Sequence, residues 1–210
     1  SDDEFLAYGF DPLCSWCYGF VPEMDKIREA QPDLDIELRM GGLAVGPRAV
    51  PMREFGERRE SIHRQVSTMT GVEFGGAYEK LEAAGDYVLD SEPPCRAIVA
   101  AQDVAPDKAI DFAEGLNIAL YRDGLPLDEA ETIRTVAKRN HIDGVALVAQ
   151  WESDHAEERL EETFALARSE GYSGYPTLVY HRDGSTKPLT RGWASAEEIL
   201  EVLQAVRGNQ

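Results

Sequence analysis

The sequence has few cysteines and few positive charges. Its 210 residues include three Cys, and 21 Lys and Arg stand against 39 Asp and Glu, which leaves a net charge of −18. Three cysteines are too few for a small secreted scaffold held together by disulfides. The negative charge argues against binding to nucleic-acid phosphates or anionic lipid, since both need Lys and Arg surfaces. We therefore expect no nucleic-acid partner and no membrane partner.

Long hydrophobic stretches are also missing. No segment approaches the roughly 18 consecutive apolar residues of a membrane span, and no secretory signal pattern is visible. A hydrophobic fraction of 43% without low-complexity tracts indicates a folded globular chain. From these features we predict a cytoplasmic protein, or a periplasmic one if a signal peptide has been removed.

The most informative pattern in the chain is Cys14-Ser15-Trp16-Cys17. The apolar residues 5–10 predict a buried strand, Asp11-Pro12 interrupts it, and helical spacing continues from the cysteines to about Ala30. A Cys at a helix N-terminus faces unpaired backbone N–H groups and the positive end of the helix dipole, which favour the thiolate. A second Cys one turn later can resolve a mixed disulfide. The motif therefore suggests redox chemistry.

The order of predicted elements indicates an α/β protein. A strand at 34–40 completes a βαβ unit, and the end of the chain predicts a strand, a hairpin turn, a second strand and a helix. The middle of the chain is mostly helical in its periodicity. We predict a thioredoxin-like fold with a helical domain inserted between its βαβ and ββα halves. The thioredoxin-like domain would comprise 1–46 and 169–210, and the insertion 47–168.

Zinc binding and haem attachment are two further roles that a CxxC motif can have. A zinc site needs four ligands, but no second CxxC or HxxxH pattern follows. Haem attachment needs a His at position 18, which is Tyr18. The four histidines also lack metal-ligand spacing; they are His63, His141, His155 and His181. We therefore expect an exchange site with no metal and no cofactor; a zinc-binding pair or an inert buried pair is the alternative.

Pro176 adds a second signal. It begins a predicted strand behind a glycine-containing loop, where a cis peptide bond would remove no ladder hydrogen bond. In thioredoxin-like folds a cis-proline packs against the CxxC, and the residue before it offers its backbone to an extended substrate. Tyr175 would then supply strand-like hydrogen bonds to a peptide. An ordinary edge-strand proline is the alternative.

Residues 11–20 together with Gly174-Tyr175-Pro176-Thr177-Leu178 resemble the DsbA family of thioredoxin-fold thiol–disulfide oxidoreductases, and most closely its FrnE-like group of predicted protein-disulfide isomerases. The resemblance extends over nearly the whole chain. It implies that Cys14 is the nucleophile, Cys17 the resolving cysteine and Pro176 the cis-proline. It also implies protein or peptide thiols and disulfides as partners, with glutathione as a further one.

The chain differs from DsbA itself between the two cysteines. Ser15-Trp16 replaces a Pro-His pair whose His stabilises the thiolate, so Ser15 is expected to tune the redox potential. Trp16 is expected to give an apolar, partly exposed contact for substrate.

Cys95 is the third thiol. The simpler interpretation is a small buried residue in a helix that Ser91 and Glu92 cap. The alternative is that the start of this helix faces the CxxC motif and that Cys95 exchanges disulfides with Cys14.

The sequence thus favours a thiol–disulfide oxidoreductase or isomerase. Two alternatives remain: a glutathione-dependent isomerase or transferase of the kappa-like type, whose first motif position is typically Ser, and a non-catalytic binding module with a structural Cys pair. The direction of exchange is not encoded in the motif, because oxidases, reductases and isomerases share these residues.

Overall fold

The computed structural model describes residues 4–208. Its main sheet has four strands, which are β1 (Glu4–Gly9), β2 (Asp35–Arg39), β5 (Thr177–Arg182) and β6 (Ser185–Arg191). Their order is β2-β1-β5-β6, where β1 is parallel to β2 and antiparallel to β5, and β5 is antiparallel to β6. Helix α1 (Ser15–Ala30) connects β1 to β2, and α9 (Ala196–Gly208) ends the described chain. The predicted βαβ and ββα halves are confirmed.

Two turn residues with positive φ determine the geometry of the C-terminal hairpin. Asp183 and Gly184, between β5 and β6, both have positive φ, at 49° and 77°. Two such residues form the tight turn whose twist matches that of the flanking strands. The hairpin register pairs Arg182 with Ser185. The β1–β5 register pairs Gly9 with Thr177, which places the start of β5 at the end of β1, just before the cysteine motif.

The segment between the two halves is mainly helical, as predicted. Its helices are α2 (Glu57–Thr70), α3 (Gly76–Ala84), α4 (Glu92–Val104), α5 (Ala109–Tyr121), α6 (Ala130–Arg139), α7 (Gly144–Trp151) and α8 (Asp154–Ser169). It also contains a small antiparallel ladder that the sequence pattern did not reveal, β3 (Val50–Pro51) with β4 (Val88–Leu89). Two residues per strand are too few to show an alternating pattern.

Both parts of the fold share one hydrophobic core. Phe10 and Phe20 of the sheet-bearing part and Phe112 and Leu116 of α5 belong to the same buried cluster, as do Cys14 and Cys17. The motif therefore lies at the seam between the sheet and the inserted helices. All four strands of the main sheet lie outside 47–168, but the exact domain limits remain a prediction, and their ends at residues 1 and 210 fall outside the described residues.

Ser91 occupies the predicted N-cap position of α4, but its side chain does not cap the helix. Its backbone angles are helical, and its hydroxyl makes no hydrogen bond to the first turn. The Asp90 carboxylate accepts from the Glu92 N–H instead, at 2.9 Å. Ser91 is fully buried, and its hydroxyl is used in a long-range contact described below.

Candidate active site

Cys14 is the N-cap residue of α1. Its backbone is extended, with φ −77° and ψ 116°, and its sulfur accepts a hydrogen bond from the Cys17 backbone N–H at 3.3 Å. This is one of the donors that a helix N-terminus leaves unpaired. The thiol in turn donates to the Tyr175 carbonyl at 3.4 Å. The side chain is 6% exposed, so it lies at the edge of the core between α1 and the loop before β5.

Cys17 lies behind Cys14 and is completely buried. Burial, together with the hydrogen bond and negative charge of Cys14, raises the pKa of the Cys17 thiol well above its usual value. The two thiols therefore differ in their access to solvent. Cys14 is the more accessible of the two sulfurs.

The loop before β5 forms the opposite side of the site. The Tyr175–Pro176 peptide bond is cis, and the Pro176 carbonyl accepts from the Gly192 N–H at 2.7 Å. Burial, with the Asp11 charge, raises the pKa of Tyr175 to about 12. A side chain at Gly41 would overlap the Tyr175 hydroxyl, so the ring of Tyr175 depends on glycine at the exit of β2.

Trp16 and Ser15 both follow Cys14 but differ in exposure. Trp16 is partly exposed while packing against the core, and Ser15 is buried. Trp16 thus presents an aromatic surface beside Cys14.

Asp11 is a part of the site that the sequence did not predict. The sequence indicated Asp11-Pro12 only as the end of the first strand. Its carboxylate is fully buried. It accepts from the Leu13 N–H at 2.9 Å, the Leu43 N–H at 2.8 Å and the Ser91 hydroxyl at 3.1 Å. Burial raises its pKa to about 6. The position of an acid directly between a buried strand and the motif was the available signal.

Cys95 contacts Asp11. Its sulfur lies 4.0 Å from the carboxylate, and its side chain is fully buried. Burial, followed by the negative charge of Asp11, raises the pKa of the Cys95 thiol well above its usual value. The start of α4 therefore faces the loop that precedes the cysteine motif. Exchange between Cys95 and Cys14 stays a prediction.

Two residues of α5 hold the loop from the insertion side. The Asn117 amide donates to the Pro12 carbonyl at 2.8 Å and to the Cys14 carbonyl at 3.2 Å. The Tyr121 hydroxyl donates to the Leu13 carbonyl. These partners are more than 100 residues apart in the chain, so no local pattern could have identified them.

Metal binding and membrane insertion find no counterpart in the described part of the chain. Across residues 4–208 no group of three or more His, Cys, Asp or Glu side chains is arranged to hold a metal ion. Among the helices in this range, none combines the length and the apolar character needed to cross a bilayer.

The fold and the paired cysteines define a thioredoxin-type protein with an inserted helical region. Residues 7–204 match the model of the DSBA-like thioredoxin domain, and the chain belongs to that family. The family resemblance and the fold class expected from the sequence are confirmed.

Solved structures show the same architecture. A candidate protein disulfide isomerase from Nitrosomonas europaea has a TM-score of 0.84 at 24% identity, covering 99% of this chain and 98% of that one. The cytosolic disulfide reductase DsbM from Pseudomonas aeruginosa has a TM-score of 0.80 at 24% identity, with 97% and 98% covered. A 2-hydroxychromene-2-carboxylate isomerase has a TM-score of 0.65 at 17% identity, with 98% and 95% covered. Comparison with curated protein sequences yields no match.

Proposed function

We propose that this member of the DsbA-like family is a thiol–disulfide oxidoreductase that acts on protein or peptide disulfides, with Cys14 as nucleophile and Cys17 as resolving cysteine. The observation that supports it most is the position of the Cys14 sulfur. It caps α1, accepts the Cys17 N–H at 3.3 Å and touches the Tyr175 carbonyl at 3.4 Å. A thiolate formed there gains a backbone hydrogen bond and the field of the helix N-terminus.

The reaction follows from the unequal access of the two thiols. The Cys14 thiolate attacks one sulfur of the substrate disulfide, forms a mixed disulfide and releases the other substrate sulfur as a thiolate that takes up a proton. Cys17 then loses its proton and attacks the Cys14 sulfur. The Cys14–Cys17 disulfide forms, the second substrate sulfur leaves, and the substrate has gained two electrons. Oxidation of a substrate dithiol is the same sequence reversed.

The substrate edge is formed by the loop before β5. The backbone on either side of Tyr175, with Pro176 next to it, would pair with an extended peptide in the manner of an added strand. Trp16 would contact apolar side chains of that peptide beside the reacting sulfur. Ser15 would set the potential of the pair through its position at the first turn of α1.

For the direction of exchange we propose reduction in the cytoplasm. The fold shared with a cytosolic disulfide reductase supports this choice, and a structure of that reductase with GSH makes glutathione the first recycling thiol to test. Equilibration of the Cys14–Cys17 pair with glutathione measures its reduction potential, which distinguishes a reductant from an oxidant. A potential near that of thioredoxin, about −270 mV, would indicate a reductant, and one near about −120 mV an oxidant.

Insulin reduction tests the assignment of the two cysteines. We expect Cys14→Ser to reduce the rate to background, and Cys17→Ser to accumulate a mixed disulfide that mass spectrometry detects. Cys95→Ser is the matched control, because it removes the remaining thiol but leaves the pair intact. A Cys14→Ser protein that reduces insulin at the wild-type rate would defeat the proposal.

The kappa-like alternative is supported only by the fold likeness to the 2-hydroxychromene-2-carboxylate isomerase. Cys14 stands where such enzymes typically have Ser. Glutathione-dependent turnover of a substrate without a disulfide, retained in Cys14→Ser, would favour it over the exchange reaction.

A further inference from the structure

Helices α2 and α3 are separated by a cavity of about 850 Å³. Its floor is aromatic and consists of His63, Phe74 and Tyr78. The rings of His63 and Phe74 stack with centroids 4.3 Å apart, and the edge of Tyr78 meets His63 at 5.4 Å. Sites for small molecules and side chains have volumes of roughly 300–1,000 Å³, so this cavity is large enough to hold a ligand group.

His63 contributes a polar group that the protein itself leaves without a hydrogen bond. The residue is 7% exposed, and its Nδ1 lies 3.6 Å from the Glu82 carboxylate, which accepts from the Tyr78 hydroxyl at 3.3 Å instead. Within residues 4–208 the ring makes no closer polar contact. Because buried polar groups are almost always hydrogen-bonded, His63 is an unused polar group at the floor of a cavity.

The charge state of His63 makes it a hydrogen-bond acceptor. Burial and the Arg59 charge lower its pKa to about 3, so at neutral pH the imidazole is neutral, with one donor and one acceptor nitrogen. The Glu82 carboxylate beside Nδ1 favours the proton on that nitrogen, which leaves the lone pair on Nε2. A group bound at the floor therefore meets an acceptor.

Carboxylates outnumber unpaired cations at the rim of the cavity. Glu60 on α2, Glu73 between the helices and Glu79 on α3 are exposed, and in the described part of the chain their side chains form no ion pair. Of the two rim arginines, Arg53 belongs to an exposed ion pair and Arg64 is unpaired among the same residues. A positively charged group with several N–H donors matches both the rim and the floor.

Tyr18 connects the cavity to the cysteine motif. It follows Cys17 in the sequence, and its hydroxyl donates to the Glu73 carbonyl at 2.6 Å. Its ring packs against Phe74 with centroids 5.3 Å apart. One aromatic side chain therefore lies between the first turn of α1 and the floor of the cavity.

We propose that the cavity between α2 and α3 binds a lysine or arginine side chain of the disulfide-bearing substrate, with His63 Nε2 accepting one of its N–H groups and Glu60, Glu73 and Glu79 balancing its charge. The proposal rests on the proposed function, because it names the substrate class of that site as peptides with a basic segment near the cysteine. The net charge of −18 attracts the same substrates from a distance.

Two peptide disulfides of otherwise equal sequence test the proposal. One carries lysines about three to six residues from its cysteine, a distance that an extended chain covers at about 3.3 Å per residue, and the other carries glutamines there. We expect kcat/KM to be about tenfold higher for the lysine peptide at low salt, and the advantage to shrink as salt screens the charges. Equal values for the two peptides would overturn the proposal.

Variants at the rim separate the cavity from the general charge of the protein. Glu60→Gln combined with Glu79→Gln changes exposed residues only, and it should raise KM about tenfold for the lysine peptide while leaving kcat and the glutamine peptide unchanged. Arg64→Gln should lower the same KM. Glu131→Gln, at an exposed site on α6, is the matched control and should behave as wild type. A control variant that raises KM as much as the double variant would contradict a local site.

An uncharged small disulfide distinguishes this proposal from the proposed function. Wild type and the double variant should reduce bis(2-hydroxyethyl) disulfide at the same rate, since it has no group for the cavity. If neither this compound nor a peptide disulfide is reduced, the proposed exchange reaction fails, and the cavity is then judged by binding alone.

Nitrogen NMR of His63 measures that binding without any exchange reaction. A cysteine-free peptide with the same lysines should shift the Nε2 resonance, because the lone pair then accepts an N–H, and the glutamine version should not. Where His63→Phe folds, it keeps the aromatic floor but should weaken binding of the lysine peptide by about tenfold. An Nε2 resonance that stays unchanged, or that shifts equally with both peptides, would overturn the proposal.

Discussion

Around Asp11, burial raises the pKa of an acid and two thiols, whereas helices α2 and α3 of the insertion surround a largely buried arginine. Burial raises the pKa of Asp11, Cys17 and Cys95, so all three bind protons more tightly than they would in water. In the insertion, Arg59 donates to the Tyr78 hydroxyl at 2.8 Å and to the Tyr121 hydroxyl at 3.1 Å.

His63, beside Arg59, shows the opposite response to burial. It stacks on Phe74 with ring centroids 4.3 Å apart, and burial with the Arg59 charge lowers its pKa to about 3. Arg59 and His63 are thus a permanent cation and a neutral histidine side by side, whereas Asp11 in the motif region is an acid whose pKa is raised. Burial therefore makes the two regions respond to pH in opposite ways.

Tyr121 joins the two regions. Its hydroxyl accepts from Arg59 on one side and donates to the Leu13 carbonyl on the other. The loop before Cys14 is thus anchored to the Arg59 cluster, and disturbance of one region should be measurable in the other.

Removing the buried cation should have the largest effect on stability. Arg59→Met removes the cation that donates to the Tyr78 and Tyr121 hydroxyls and pairs with the Glu82 carboxylate, 3.3 Å away. We expect a loss of about 3–5 kcal/mol in the free energy of unfolding, measured by urea denaturation. Arg53→Met is the control, because the Arg53–Asp86 pair is exposed and should contribute about 1 kcal/mol or less. Equal losses in the two variants would contradict the contrast.

Acid should destabilise the insertion through His63. Because the folded-state pKa is lowered from 6.5 to about 3, the stability due to neutral His63 is present above pH 6.5 and is lost as the pH falls towards 3. Relative to His63→Asn, wild type should lose roughly 4 kcal/mol over that window. Comparison of the two at about pH 8, where both side chains are neutral, gives the packing difference alone. A pH-independent difference would argue against a buried neutral histidine.

Asp11 should respond to pH with the opposite sign. Its folded-state pKa is raised from 3.8 to about 6, so its contribution is greatest below pH 3.8 and falls as the pH rises to about 6. Wild type should lose roughly 3 kcal/mol relative to Asp11→Asn across that interval, in unfolding measured at a series of pH values. A wild-type protein that instead gained stability relative to Asp11→Asn as the pH rises would contradict a raised pKa of Asp11.

The smallest effect is expected at the seam between the two regions. Ser91→Ala removes the hydroxyl that donates to Asp11 at 3.1 Å and accepts from the Ala44 N–H at 3.0 Å. Loss of these buried bonds should cost about 1–2 kcal/mol in thermal or urea unfolding. Ser169→Ala, at an exposed site on α8, is the control and should change stability by about 0.5 kcal/mol or less. A Ser91→Ala protein as stable as the control would mean that this contact does not hold Asp11.

Local patterns accounted for most of the secondary structure. The periodicity after Cys14 predicts α1, and the positions of Asp183 and Gly184 predict the hairpin, because helix, strand and turn signals depend on residues close together in sequence. The β3–β4 ladder was not predicted, because its strands of two residues are too short to show a period. The cap predicted at Ser91 failed because a long-range partner, Asp11, competes for its hydroxyl.

Periodicity and motifs were enough to predict the fold class, the cysteine pair, the position of Pro176 beside a glycine loop and the family resemblance. The contacts of Asp11 with Ser91 and Cys95, 80 and 84 residues away, and of Asn117 with the carbonyls around Cys14 could be found only in the folded chain. The reason is physical. A motif consists of residues that are neighbours in the sequence. The burial, charge and proton affinity of its side chains depend on which distant side chains the packed core brings next to them.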